Sequence, residues 1–121
     1  METNKKILIF EDDISILEIV TIILEDAGYG VETSQTSHDI IEKVAAIKPD
    51  LILMDNWIPN IGGKEATKLL KRDPNFNQIP VIYITANSDI AELAKDAGAD
   101  DFLAKPFDLV DLEKIVSKYL K

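Results

Sequence analysis

The chain has 121 residues, 46% hydrophobic and 29% charged, the make-up of an ordinary water-soluble globule with one domain (1–121) and one core. A net charge of −9 argues against nucleic acid as a direct partner, and the absence of cysteine excludes disulfides and thiolate metal sites. No apolar run is long enough to span a bilayer and residues 1–6 carry no apolar signal segment, so a cytoplasmic protein without membrane insertion is expected.

Lys6-Ile7-Leu8-Ile9-Phe10 is a buried strand that runs into Glu11, Asp12 and Asp13. Ile16, Leu17, Val20, Ile23, Leu24 and Ala27 then repeat at the helical period, and Gly28 stands where a left-handed helix stop belongs. Asp13, just before that helix, reads as its N-cap. Val31-Glu32-Thr33-Ser34 alternates like a short edge strand. Thr36 or Ser37 is expected to cap a second helix carrying Ile40, Ile41, Val44, Ala45 and Ile47, which Pro49 closes. His38, the only histidine, is expected to be solvated.

Leu51-Ile52-Leu53-Met54 is an uninterrupted apolar run ending in Asp55, the pattern of a strand covered on both faces. Pro59-Asn60-Ile61-Gly62-Gly63 is a loop. A third helix follows, with Ala66, Leu69 and Leu70 inward and Lys64, Lys68, Lys71 and Arg72 on a solvated face. Val81-Ile82-Tyr83-Ile84-Thr85 is the fourth strand. The next helix has only Ile90, Leu93, Ala94 and Ala97 to bury, which predicts the least firm packing, and it ends at Gly98. Asp101-Phe102-Leu103-Ala104 is the fifth strand, leading to Lys105-Pro106. Asp108 or Asp111 caps a last helix with Leu112, Ile115, Val116, Tyr119 and Leu120.

Right-handed crossovers bring the C-terminal ends of parallel strands to one rim of the sheet. That rim collects Glu11, Asp12, Asp55, Thr85 and Lys105. Two carboxylates about 4 Å apart repel by roughly 4 kcal/mol at an effective dielectric of about 20, so three such groups call for a counter-charge. Few carboxylates, a carbonyl and water suit Mg²⁺ better than a Ca²⁺ cage. Asp55, at the end of a buried parallel strand, is the candidate reacting group.

These segments together resemble the receiver domain of two-component response regulators over essentially the whole chain. The resemblance rests on Ile7 to Asp13, Leu51 to Gly63 with its D-x-x-x-P-x-x-x-G pattern, Ile84-Thr85-Ala86 and Lys105-Pro106-Phe107. It implies a flavodoxin-like (βα)₅ fold, a doubly wound five-stranded parallel sheet in the order 2-1-3-4-5, with two helices on one face and three on the other.

The resemblance also implies that Asp55 is the phospho-acceptor, served by a sensor histidine kinase or a histidine phosphotransfer protein. Mg²⁺, for which Mn²⁺ can substitute, would be held by Asp12, Asp55 and the Trp57 backbone carbonyl, with Glu11 acting through water. Lys105 and Thr85 would contact the phosphoryl oxygens, with the backbone N–H groups of Asn56 and Ala86 in reach. Phe102 would be the switch aromatic, and the fourth helix, fifth strand and fifth helix would face a downstream protein or, on phosphorylation, a second copy. Such a chain modifies itself and is not a turnover enzyme, and no output domain is expected. A cis Lys105–Pro106 bond is also expected, since proline cuts the cis cost to about 0.5–1 kcal/mol.

Three positions depart from the commoner pattern. Phe102 lacks a tyrosine hydroxyl, Gly62 replaces a frequent acidic residue, and Trp57 places an indole beside the path of an attacking water. The side chain of Trp57 is expected to anchor the loop. One rival reading is a phosphatase with an aspartyl nucleophile, but such enzymes carry a second Asp where this chain has Trp57. Another is a degenerate receiver that only binds partners, against which the intact acidic pair, acceptor, hydroxyl and lysine speak.

Overall fold

The computed structural model describes residues 5–86 and 88–120; the N-terminal residues read above for a signal segment lie partly outside them. Its elements alternate strictly: β1 (Lys6–Phe10), α1 (Ile14–Asp26), β2 (Gly30–Ser34), α2 (Ile40–Ile47), β3 (Leu51–Asp55), α3 (Gly62–Arg72), β4 (Val81–Thr85), α4 (Ile90–Ala97), β5 (Asp101–Ala104) and α5 (Leu109–Tyr119). The five strands form one parallel sheet in the order β2-β1-β3-β4-β5, as the sequence pattern implies.

Side-chain alternation along the three central strands feeds two cores. Ile7, Ile9, Leu51, Leu53, Ile82 and Ile84 pack with Leu17, Val20 and Leu24 of α1 and Leu112 and Val116 of α5. Leu8, Phe10, Ile52, Met54, Val81 and Tyr83 pack with residues of α2, α3 and α4. Two helices therefore cover one face and three the other. Each fully buried aliphatic side chain contributes about 1.5–3 kcal/mol, so the central strands are the rigid platform from which the rim loops project.

Local chemistry sets the helix ends. Asp13 accepts hydrogen bonds from Ser15 N (2.9 Å) and Ile16 N (3.3 Å), so it caps α1 as expected and leaves Asp12 out of that role. Asp108 caps α5 through Asp111 N (2.9 Å). Gly28 and Gly98 end their helices at φ 101° and 86°, a region that favours glycine. The Lys105–Pro106 bond is cis.

Neither Thr36 nor Ser37 caps α2. The residue before α2 is Asp39, with φ 54°, and its side chain makes no cap bond. Both hydroxyls reach the loop after β3: Ser37 Oγ donates to Pro59 O (2.9 Å) and accepts from Ile61 N (3.0 Å), while Thr36 Oγ1 donates to Asn60 Oδ1 (2.8 Å) and accepts from His38 N (2.8 Å) in the turn before α2.

α3 also differs from the sequence pattern. Its buried stripe is Gly63, Ala66, Thr67 and Leu70, and Leu69, one position off it, is 39% exposed. Lys71, expected on the solvated face, instead donates to Asp100 Oδ2 (2.6 Å), Ile79 O (2.9 Å) and Asn77 O (3.2 Å). Its apolar stem passes Gly98, so the ammonium can reach inward to these acceptors.

α4 buries Ile90, Ala94 and Ala97 and packs against α3, β4 and β5. Its alanines permit close approach while burying little apolar area. No helix among the described residues is long and apolar enough to cross a membrane.

Candidate functional site

The ends of β1, β3, β4 and β5 deliver the expected side chains to one rim. Glu11 and Asp55 are 2% and 3% exposed, Thr85 is fully buried, and Asp12 faces solvent. The carboxylates of Glu11, Asp12 and Asp55 each present an oxygen within 4.8 Å of the others. Lys105 enters from just beyond β5, where its Nζ donates to Glu11 Oε1 (2.5 Å) and Asp55 Oδ1 (3.1 Å). Its N–H also donates to Thr85 O (2.9 Å), continuing the ladder between the ends of β4 and β5.

Electrostatics follow from this crowding. Burial pushes the Glu11 carboxyl above its ordinary value; the Lys105 hydrogen bond opposes this and the Asp55 charge adds to it. Burial would lower the Lys105 ammonium, but its hydrogen bonds to Glu11 and Asp55 outweigh that, so it is raised and stays charged. One lysine cannot offset three carboxylates. The donor set of hard oxygens, one of them solvent-facing, fits a divalent cation such as Mg²⁺.

The loop after Asp55 is built tightly. Trp57 N donates to Asp55 Oδ2 (3.1 Å), and Gly63 N donates to Asn56 O (3.0 Å). A Cβ at Gly63 would overlap the Asp55 carbonyl oxygen, so only glycine lets α3 begin here. The Trp57 indole does not anchor the loop: it is 71% exposed, and the neighbouring Ile58, 2% exposed, takes that part.

The expectation for Asn56 also needs correction. Its N–H donates to Ile84 O (3.1 Å), extending the β3–β4 ladder, so the N–H aimed at the Asp55 carboxylate belongs to Trp57. Ala86 is exposed at the end of β4 and lines an apolar cavity with Ile16, Ile19, Lys105, Pro106 and Phe107. Phe102 points outward, 40% exposed, on β5. His38 is solvated and paired with Asp39 at 3.0 Å.

Three contributors were missed in the sequence. Ser37 and Thr36 clip the loop after Asp55, and the Tyr83 hydroxyl donates to Asn56 Oδ1. The Gly62-Gly63 pair, read in the sequence only as part of a loop, is a local signal that could have marked the close backbone approach.

Comparison with known proteins agrees with this geometry. Residues 7–117 match the family described as the response regulator receiver domain. The chain is 37% identical over 109 residues to the DNA-binding dual master transcriptional regulator RpaA of Synechocystis, covering 88% of this chain and 45% of that protein. It thus spans about half the length of the curated relatives it matches. Among solved structures, a response regulator from Chloroflexus aurantiacus superposes with a TM-score of 0.91 at 29% identity, covering 98% of both chains. The receiver domain of the sensor histidine kinase PA1611 from Pseudomonas aeruginosa, with a magnesium ion coordinated in its active-site cleft, gives 0.88 at 29% identity, again covering 98% of both. With the strand order, the acidic rim and the placement of Lys105 already in agreement, the chain belongs to the receiver-domain family of two-component response regulators.

Proposed function

We propose that this chain accepts a phosphoryl group on Asp55 from a phosphohistidine of a sensor kinase or phosphotransfer protein. The observation that carries the proposal is the meeting of Glu11, Asp12 and Asp55 within 4.8 Å, with the Lys105 ammonium 3.1 Å from Asp55. In the transfer, an Asp55 carboxylate oxygen forms the new O–P bond as the donor's N–P bond breaks, and the departing imidazole takes up a proton. Lys105 stands ready to pair with a phosphoryl oxygen, Thr85 to donate to another, and the Trp57 N–H to a third. Such chemistry rests on positioning and charge neutralisation.

Asp12, Asp55 and the Trp57 carbonyl would hold Mg²⁺, with Glu11 in reach through water. When bound, the ion supplies positive charge against the phosphoryl oxygens. The chain acts on itself rather than turning over a substrate, and it works in the cytoplasm. The output face is α4, β5 and α5, where Phe102 is exposed and α4 has little apolar anchorage. A downstream protein or a second copy of the chain would dock there.

Intact mass after incubation with acetyl phosphate tests the proposal. Wild type with Mg²⁺ should gain one phosphoryl group, and neither wild type in EDTA nor Asp55→Asn should. Equal labelling of Asp55→Asn would refute the assignment of the acceptor.

A further inference from the structure

Asn56, between the acceptor and Trp57, is pinned on three sides. Its N–H donates to Ile84 O (3.1 Å), its carbonyl accepts from Gly63 N (3.0 Å), and its side-chain Oδ1 accepts from the Tyr83 hydroxyl. The first two are backbone bonds that almost any residue would make. The third depends on two particular side chains.

Tyr83 is fully buried in β4, opposite Met54 of β3, with its ring in the core beneath α3 and α4. Its hydroxyl is therefore the only part of the side chain concerned with the rim. Burial, and then the nearby Asp55 charge, push that hydroxyl up to about 12, so it remains a donor at any pH the protein meets. A phenylalanine would fill the core equally well. A hydroxyl buried here has to be matched by an acceptor, and that acceptor sits one residue from the reacting carboxylate.

We propose that Tyr83 is a positioning residue for the acceptor loop: by holding Asn56, its hydroxyl fixes where the Trp57 N–H and carbonyl lie relative to Asp55. This rests on the phospho-acceptor reading above. Trp57 N lies 3.1 Å from Asp55 Oδ2, and its indole is exposed, so nothing from its own side chain holds it there. The chain's grip on Trp57 comes from its neighbours, Asn56 behind and Ile58 ahead. Losing the Tyr83 bond frees the Asn56 side chain to seek water and lets the turn breathe. The core volume hardly changes.

The test is a double-mutant cycle on Tyr83→Phe and Asn56→Ala with two readouts. One is amide exchange at Trp57 in metal-free buffer; the other is Mg²⁺ affinity from tryptophan fluorescence. Tyr83→Phe should speed Trp57 exchange and weaken Mg²⁺ binding roughly three- to tenfold, the worth of one hydrogen bond. In the Asn56→Ala background it should change neither, because its effect passes through Asn56. Unchanged exchange in Tyr83→Phe, or the same loss in both backgrounds, would overturn the proposal and leave Tyr83 a core residue only. If wild type itself shows no saturable Mg²⁺ response, the phospho-acceptor reading fails, and the exchange comparison decides the positioning role alone.

Discussion

Lys105 Nζ lies 3.1 Å from Asp55 Oδ1 while also reaching Glu11 at 2.5 Å, so one ammonium is the protein's own counter-ion for two nearly buried carboxylates. Removing it as Lys105→Met strands both charges. Breaking a buried pair costs about 3–5 kcal/mol, and the low exposure of all three groups places this case near that range. Thermal melts should show a large loss of stability in EDTA. Mg²⁺ should recover part of it, because a cation replaces the missing charge.

Asp12 has the opposite character: it is exposed, caps nothing, and adds a third negative charge. Asp12→Ala should relieve repulsion of order 1 kcal/mol and melt above wild type in EDTA. The same change removes a proposed metal ligand, so the stabilisation RT ln(1 + [Mg²⁺]/Kd) should be smaller in the mutant. The two melting curves should converge or cross in millimolar Mg²⁺. A lower melting point in EDTA with an undiminished Mg²⁺ response would contradict this.

Trp57 should report the cation optically, because it is the only indole and its backbone borders Asp55. Its fluorescence should change saturably with Mg²⁺, and the change should be lost in Asp12→Ala. A retained response in that mutant would put the metal elsewhere.

Away from the rim, the Lys71–Asp100 contact should matter for stability alone. Lys71 satisfies two loop carbonyls as well as Asp100, whose Oδ2 also accepts from Val81 N (2.8 Å). Lys71→Met should cost about 1.5–3 kcal/mol in urea denaturation, toward the lower end because Asp100 is 39% exposed. Phosphoryl uptake should be unaffected.

The Asp101–Tyr119 pair sets a pH signature at the other end of the sheet. Burial pushes Asp101 up, but the Phe102 N–H, the Tyr119 hydroxyl and the Lys118 ammonium outweigh it, so its carboxyl is held below the usual value. Its contribution is present above the unfolded carboxylate range and is lost as pH falls through the folded value. Tyr119 is pushed up to about 12, by burial first and then by Asp101, so its contribution is lost as pH rises toward that value. Urea midpoints should therefore show Asp101→Asn below wild type near neutrality, with the gap closing in acid and in strong alkali. A gap independent of pH would show that the pair is only a shape.

What the sequence made legible was periodic or terminal. Apolar runs ending in Glu11, Asp55, Thr85 and Lys105 located the rim, because parallel topology alone brings strand ends together. The caps at Asp13 and Asp108 were equally local. The misplacements were tertiary. Ser37 and Thr36 had the chemistry of caps but found partners more than twenty residues away in the loop after Asp55. Lys71 looked like one more surface lysine until α3 packed beside the start of β5. Tyr83 looked like ordinary strand filler, since nothing local announces that its hydroxyl meets Asn56. Ile58 rather than Trp57 holds the loop, a choice between two adjacent apolar side chains that only the packed core makes.

The most direct measurement is the chemical location of the phosphoryl group. Protein treated with acetyl phosphate and Mg²⁺ would be reduced with borohydride, which turns an aspartyl phosphate into homoserine, and then mapped by tandem mass spectrometry. The account predicts homoserine at position 55 alone, absent when EDTA replaces Mg²⁺. Reduction product at position 12, or labelling that persists without the metal, would contradict it.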